Sequence, residues 1–188
     1  MVHQRDCNCF MWNPGLHKDW KYVLPFCQEQ NIRLIALNFP GFGETPHDDR
    51  FTMLNTERLA FVNQVLKARK IEPNEKLLYM GYNRSSESVL KLGALNSDNF
   101  VGIILVNGVG MTIHRGIKSF WLISISSYLW ETFPRMRGTF INPFAFTICS
   151  KIGVKTPNGQ IAMNCARAMK TFDLPNQKKY FDMINKTM

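Results

Sequence analysis

The chain has 188 residues, of which 45% are hydrophobic, and a formal net charge of +9 at pH 7. This length supplies one ordinary hydrophobic core and is too short for two, so we expect a single domain. Lys and Arg number 12 against 11 Asp and Glu over residues 1–114, and 11 against 3 over residues 115–188, which gives +1 and +8. The basic residues form no larger cluster and no recognition motif, so we expect a solvated basic face and no nucleic-acid site.

Cysteine usage and apolar runs indicate the compartment. The cysteines are odd in number, scattered, and without the paired spacing of a zinc or redox motif. We therefore expect reduced thiols, a cytoplasmic location, and neither a metal nor another cofactor. Residues 1–10 are too polar for a signal peptide. The most apolar run, residues 120–130, is about half as long as a membrane span requires, so no transmembrane segment is predicted.

Helical and strand patterns alternate in the first part of the chain. A helix is predicted over residues 18–30, and a short, continuously apolar strand over residues 33–38. A turn-rich loop with Pro40, Gly41, Gly43 and Pro46 follows them. Asn55 or Thr56 is the expected cap of the next helix.

The next elements continue this alternation. They are a strand over residues 76–80, a helix over 86–95 and a strand over 100–107. Strands separated by helices of this length favour right-handed crossovers, which predicts an α/β fold with a three- to four-stranded parallel sheet and flanking helices.

The second part of the chain, residues 115–188, is predicted to be wholly helical. Helical spacing in its first segment places Trp121, Ile125 and Leu129 opposite a narrow polar stripe, which predicts a largely buried helix. We expect its aromatic residues to pack the second part against the core; they are Phe120, Trp121, Trp130, Phe133, Phe140, Phe144 and Phe146.

The pentapeptide Gly81-Tyr82-Asn83-Arg84-Ser85 lies between a predicted strand and a predicted helix. This context is that of the nucleophile elbow, whose pattern G-x-S-x-G presents a reactive oxygen from a sharp strand-to-helix turn. Here the central residue is Asn83. A carboxamide has no hydroxyl or thiol that a base could activate for attack on a carbonyl.

Three motifs occur in the same order as in a known superfamily: Asn13-Pro14-Gly15 followed by Asp19-Trp20, the run over residues 35–43, and the elbow. With them the chain resembles the α/β-hydrolases. It is most similar to a nematode-expanded branch of uncharacterised hydrolase-like proteins, whose elbow reads G-H-S-R-G-x-E. Gly81, Arg84 and Glu87 match that pattern. The resemblance implies a partial α/β-hydrolase core over residues 1–114 and a C-terminal helical cap over residues 115–188 of the same domain.

The resemblance also shows which catalytic parts differ. Trp12 stands where the superfamily's oxyanion loop has glycine, and Ser85 replaces the last glycine of the elbow. The main-chain N–H of Arg84 remains as a possible oxyanion donor. Downstream of Asn83 the only histidine is His114, which comes too early for the triad order of nucleophile, acid and histidine. We expect Trp12, Asn13 and His114 to line the pocket.

Three hypotheses remain open from the sequence. The first is a serine-hydrolase descendant that is catalytically incompetent, a binding-type pseudoenzyme or a truncated product, with a small apolar ligand or a protein partner at open sheet edges. The second is an active hydrolase of a small apolar ester or epoxide that uses Ser85, Ser86 or a deamidated Asn83. The third is a peripheral protein whose basic, aromatic second part meets an anionic membrane or partner surface.

Overall fold

The computed structural model describes residues 5–10, 16–71, 75–95, 99–112 and 120–187. Within them lies one sheet of four strands, β1 (Arg5–Phe10), β2 (Ile32–Ala36), β3 (Lys76–Tyr82) and β4 (Phe100–Val106). All three strand pairs are parallel, and the spatial order is β2-β1-β3-β4. The predicted parallel α/β sheet is therefore confirmed, with β2 and β4 at its edges.

The first helix, which was predicted as continuous over residues 18–30, is interrupted in the structure. A 3-10 segment, His17–Tyr22, is followed by the short α1, Leu24–Glu29. Pro25 lies in the first turn of α1. A proline ring is tolerated in a first turn, but inside a continuous helix it would clash with the carbonyl four residues earlier and remove a hydrogen bond.

Helix α2 spans Asn55–Ala68, and the predicted cap residues prove to be wrong. The N-cap is Leu54, and the donors at this end are satisfied by Glu57, whose carboxylate accepts the main-chain N–H groups of Thr52 and Leu54. Asn55 lies inside the helix, and its buried side chain points away from the cap. A negative side chain in the first turn also suits the helix dipole.

Helix α3, Ser85–Leu95, covers one face of the sheet and forms its main core contact. Val89 and Leu92 of α3 pack with Leu77 and Tyr79 of β3, and all four side chains are buried. The Tyr79 ring also stacks on Phe100 of β4, with ring centroids 5.9 Å apart. Since α3 begins where β3 ends, this packing fixes the direction of the turn between them.

The second part contributes α4 (Phe120–Thr132), α5 (Asn142–Lys151), α6 (Gly159–Lys170) and α7 (Gln177–Thr187). Helix α6 lies against the first part of the chain. Its Asn164 side chain donates to the Gly41 carbonyl at 2.9 Å, and Arg167 donates to the Phe51 carbonyl at 3.1 Å. Helices α4 and α5 pack on α6, while α7 packs on α3.

Trp130 of α4 holds these helices together. Its side chain is 1% exposed and lies between the guanidinium groups of Arg137 and Arg167, which are 3.6 and 4.2 Å from the ring centroid. The indole N–H donates to the Asn142 side chain at 3.1 Å. Each arginine thus stacks on an aromatic face, an arrangement that is strongest when it is desolvated.

The prediction that α4 is largely buried through its apolar stripe is wrong. Trp121, Ile125 and Leu129 are exposed, whereas Ser126 and Ser127 are buried toward α6. Both serine hydroxyls donate to the Ile123 carbonyl within the helix, so these short side chains are satisfied and allow close packing. Of the aromatic residues expected to pack against the core, Trp130 is buried; the exposed ones are Trp121, Phe133, Phe140, Phe144 and Phe146.

Among the described residues, no helix combines the length and the apolarity that crossing a bilayer requires. The described cysteines Cys27, Cys149 and Cys165 are buried and form no disulfides. Burial raises the pKa of the Cys149 and Cys165 thiols. Buried thiols with raised pKa values are packing groups, because the thiolate is the reactive form.

The substitution Trp130→Ala is expected to lower the free energy of unfolding by about 3–5 kcal/mol, because it leaves a cavity and removes both arginine stacks. The matched control is Trp121→Ala in the same helix, where the side chain is 61% exposed. That control should stay within about 0.5 kcal/mol of the wild type. Chemical denaturation monitored by circular dichroism measures both, and equal effects would contradict the role assigned to Trp130.

Candidate functional site at the strand-to-helix elbow

Asn83 forms the apex of a sharp turn between β3 and α3. Its φ of +49° places it in the left-handed region. Its main-chain N–H donates to the Val106 carbonyl at 3.0 Å, and its carbonyl accepts the Ser86 N–H at 3.0 Å. Asparagine is among the few residues other than glycine that adopt this conformation readily. The chain therefore has the backbone of an elbow with a carboxamide at its apex.

Gly81 permits the close approach that this turn requires. A Cβ atom at Gly81 would lie 2.8 Å from the Val89 side chain, 3.0 Å from the Ser85 carbonyl oxygen and 3.0 Å from the Ser86 Cα. Two of these neighbours are main-chain atoms of α3, which cannot move away cheaply. The packing of α3 on β3 thus requires glycine at position 81, and this requirement is independent of catalysis.

The serines that follow the apex are buried in the first turn of α3. Ser86 donates its hydroxyl to the Asn83 carbonyl at 2.5 Å and accepts the Val109 N–H at 3.0 Å. The Ser86 hydroxyl therefore donates one hydrogen bond to the main chain and accepts another from it. Ser85 is also fully buried. A serine nucleophile needs a base within hydrogen-bond reach and access to a substrate, and the position of Ser86 provides neither within the described residues.

The Arg84 side chain turns away from the apex and into the interior, where it is fully buried. It donates to the Glu87 carboxylate at 2.6 Å and to the Asn55 side-chain oxygen at 2.7 Å. It also donates to the main-chain carbonyls of Ala168, at 3.1 Å, and Thr171, at 3.3 Å. One guanidinium thus connects α3 with α2 and with the end of α6.

Glu87 is the buried anion of this cluster. Besides Arg84, its carboxylate accepts hydrogen bonds from the Asn55 side chain and from Lys91, the latter at 3.0 Å. Lys91 in turn lies 3.4 Å from Asp173. A buried carboxylate is tolerable only when it is paired and its remaining lone pairs are satisfied, and these partners meet both conditions. The Arg84 and Glu87 matches to the hydrolase-like pattern therefore have a structural reason.

Burial and pairing act on Arg84 in opposite directions. Burial lowers the pKa of the Arg84 guanidinium, while the Glu87 charge and hydrogen bond raise it. The Phe172 ring, with its centroid 4.1 Å away, adds an aromatic face. The Arg84 side chain thus serves to hold the elbow in place. Its main-chain N–H, expected from the sequence as an oxyanion donor, makes no main-chain hydrogen bond within the described part of the chain.

Arg58 of α2 is a second buried guanidinium, but it has a different environment. Its side chain is fully buried, and none of its three nitrogens has a hydrogen-bond partner among the described residues. The Phe39 ring lies 5.2 Å from it. Burial, reinforced by the Arg84 charge, lowers the Arg58 pKa to about 9. No sequence signal identifies this environment, since Arg58 occupies an ordinary position on an amphipathic helix.

The other predicted pocket residues, Trp12, Asn13 and His114, lie outside the described residues. The site that can be described therefore consists of Asn83 at the apex, the two serines beside it and the Arg84–Glu87 pair beneath. No group of His, Cys, Asp and Glu in the described part of the chain has the geometry to hold a metal ion. What this arrangement offers chemically is a hydrogen-bonding carboxamide on a rigid turn.

Removing Arg84 is expected to be costly. Arg84→Met should lower the free energy of unfolding by about 3–5 kcal/mol, because Glu87 would lose its principal charge partner while remaining buried. Urea denaturation at pH 7 measures the change. A loss below about 1 kcal/mol would mean that the pair contributes no more than a surface salt bridge does.

Arg58→Met is the matched comparison, and the expected change has the opposite sign. Removing a buried charge that has no hydrogen-bond partner among the described residues should raise the free energy of unfolding by about 1 kcal/mol at pH 7. The folded protein releases the Arg58 proton near pH 9, whereas the unfolded chain keeps it up to the ordinary value of 12.5. The unfolded state then binds more protons, so wild-type stability rises with pH in this window and the variant's advantage shrinks above pH 9. A destabilised Arg58→Met protein would contradict this interpretation.

Comparison with known proteins agrees with the geometry of the elbow. A family described as alpha/beta hydrolase of unknown function matches residues 8–188. An uncharacterised protein of Caenorhabditis elegans is 26% identical over 176 residues, which cover 90% of this chain and 49% of that protein. The chain thus spans about half the length of this relative.

Solved structures resemble the fold at low sequence identity. An esterase from Exiguobacterium antarcticum superposes with a TM-score of 0.62 at 16% identity, covering 94% of this chain and 69% of that one. A carboxylesterase structure from the thaumarchaeon Nitrososphaera gargenis gives a TM-score of 0.64 at 12% identity, with 100% and 70% covered. Since the family match extends over nearly the whole sequence, the chain belongs to the alpha/beta hydrolase family of unknown function.

Proposed function

We propose that this protein is a catalytically incompetent descendant of a serine hydrolase that acts as a binding-type pseudoenzyme. The observation that carries the proposal is Asn83 at the apex of an otherwise well-formed elbow, with φ of +49°. In this fold the apex residue must supply the attacking oxygen or sulfur. A carboxamide supplies neither, but it can donate and accept hydrogen bonds at the same position.

The surroundings of Asn83 support the loss of chemistry. Ser86 has its hydroxyl engaged with the Asn83 carbonyl and the Val109 N–H, and Ser85 is fully buried in the first turn of α3. Recruiting either serine would require breaking this turn.

The choice of asparagine also has a structural advantage. A serine at a left-handed φ is strained, and active elbows tolerate this strain to present their nucleophile. Asparagine accepts the same φ at lower cost because its short polar side chain bonds locally. A protein that retains the fold for binding alone gains stability from this exchange, in line with the usual trade-off between stability and activity.

The ligand class follows from the lineage and from the apex group. The solved structures that resemble this fold include an esterase and a carboxylesterase, enzymes named for ester substrates. We infer a small apolar ligand that contains a carbonyl group. The side-chain amide of Asn83 would donate a hydrogen bond to the carbonyl oxygen, at the position where an active hydrolase has its nucleophile. The second part of the chain would act as its cap, and the open edges of β2 and β4 would be available to a protein partner. Three buried thiols without disulfides suit a cytoplasmic location.

The decisive experiment combines turnover with covalent labelling. Purified protein incubated with p-nitrophenyl butyrate should show no ester cleavage above buffer, and fluorophosphonate probes should leave its intact mass unchanged, because the apex lacks a nucleophile. An active serine esterase treated in parallel confirms the reagents. Labelling of Ser85 or Ser86, or a mass gain of about one dalton at Asn83 with turnover, would instead establish the active-hydrolase alternative.

The variant Asn83→Ser tests whether the apex alone is missing. We expect it to remain unlabelled, because the described residues place no base beside the apex, and to lose about 1 kcal/mol of stability from strain at the left-handed φ. The matched control is Asn107→Ser at the end of β4, where φ is +48°. It should lose a similar amount. Labelling of Asn83→Ser but not of the control would show that the remaining machinery is intact.

A further inference from the structure

An apolar surface on the second part of the chain has no covering element among the described residues. We name it the α4–α5 outer surface. Its members are all at least one-third exposed, and Trp121, Tyr128 and Phe140 exceed 60%. The surface comprises Trp121, Ile125, Tyr128, Leu129, Phe133, Phe140 and Phe144.

Helical spacing makes this surface continuous along α4. Trp121, Ile125, Leu129 and Phe133 are each four residues apart, so they lie on one face. The helical bond from the Phe133 N–H to the Leu129 carbonyl, 2.9 Å long, extends the face by one turn. The opposite face of α4 is already occupied, because Trp130 packs against Ala162 and Met163 of α6. The exposed face is therefore additional to the face that the fold needs.

Helix α5 and the π-helical turn before it, Arg137–Ile141, repeat the arrangement. Ala145 and Cys149 are buried in the same cluster as Trp130, while Phe140 and Phe144, four residues apart, are exposed. Large apolar side chains exposed together on one part of a protein mark a binding surface.

The charges near this surface are positive. The described residues 120–155 contain four basic residues, Arg135, Arg137, Lys151 and Lys155, and one acidic residue, Glu131. Glu131 is compensated, because its carboxylate lies 3.7 Å from Arg167 and 3.8 Å from Lys170. Arg135 is exposed between Phe133 and Met136, and Lys151 is exposed next to Ile152. Arg137 is paired with Asp49 at 3.0 Å, so the exposed cations of this stretch are Arg135, Lys151 and Lys155.

We propose that the α4–α5 outer surface docks on an anionic lipid membrane. Tryptophan and tyrosine rings prefer the boundary between headgroups and acyl chains, and helices lying in that plane insert their apolar face by a few ångströms. Exposed basic side chains in the same stretch, Arg135, Lys151 and Lys155, are attracted to the negative surface potential of anionic lipids. The composition favours lipid over an acidic protein, because the large exposed apolar side chains outnumber these cations. This role is independent of the chemistry at Asn83.

Vesicle co-sedimentation tests the proposal on the whole chain. The protein should pellet with vesicles of phosphatidylcholine containing about one-third phosphatidylserine and should bind pure phosphatidylcholine at least tenfold more weakly. Binding should fall as salt increases, because the Debye length shortens to about 8 Å at physiological ionic strength. Trp121 fluorescence should shift to the blue on binding, and Trp121→Phe should remove that shift.

Two variant pairs separate the apolar and the charged contributions. Trp121→Ala combined with Phe144→Ala should reduce the partition coefficient about tenfold. Its control, Tyr22→Ala with Phe26→Ala, removes equally exposed aromatic residues elsewhere and should have no effect. Arg135→Gln with Lys151→Gln should reduce binding about fivefold for each charge removed, whereas the exposed pair Lys67→Gln with Lys70→Gln should not.

Several outcomes would overturn the proposal. They are the absence of binding to anionic vesicles, equal binding to both lipid compositions, and equal loss in the control pairs. The proposal would also be overturned if the wild-type protein bound no vesicles but formed concentration-dependent dimers in light scattering, and if the Trp121 and Phe144 substitutions abolished those dimers. That result would assign the surface to a second copy of this chain. All the substituted side chains are exposed, so unchanged circular dichroism spectra should show that every variant folds.

Discussion

The buried pair of Arg84 and Glu87 is the interaction on which the rest of the structure depends. It ties the first turn of α3 to Asn55 of α2 and to the main chain at Ala168 and Thr171. The elbow is thereby fixed to elements that come both before and after it in the sequence. Because each charge would be costly if left alone in the interior, the two must be kept or lost together, and this constraint is independent of any reaction at Asn83.

This separation between scaffold and chemistry means that an elbow can form with a carboxamide at its apex. The turn is set by Gly81, which allows α3 to approach β3, and by a residue at Asn83 that accepts a positive φ. Neither requirement involves a reactive oxygen. Asparagine satisfies the backbone at least as well as serine does, so the turn depends on packing and on backbone conformation and does not require a nucleophile.

Much of the fold could be predicted from local patterns, and the errors have identifiable causes. Strands β2, β3 and β4 and the elbow follow from short apolar runs and turn residues, which act over a few positions. Strand β1, with the sequence RDCNCF, has no such run and was not predicted at residues 5–10. The interruption before α1 does not appear in the apolar periodicity, because Pro25 limits where a helix can begin without changing the apolar spacing. The predicted orientation of α4 was wrong. An apolar stripe shows which face of a helix can be buried, but in this structure Ser126, Ser127 and Trp130 form the buried face.

The sequence by itself determined the chemical identity at the apex, since a carboxamide remains a carboxamide in any fold, and it determined the alternation of helices and strands between residues 18 and 107. Only the tertiary structure decided the roles of the charged residues. Arg84 meets Thr171 across 87 positions of sequence, and the Arg58 nitrogens have no hydrogen-bond partner among the described residues although its helix looks ordinary. The pairing and the desolvation of a charged group depend on which groups, distant in sequence, the packing brings beside it. No local sequence pattern specifies those neighbours.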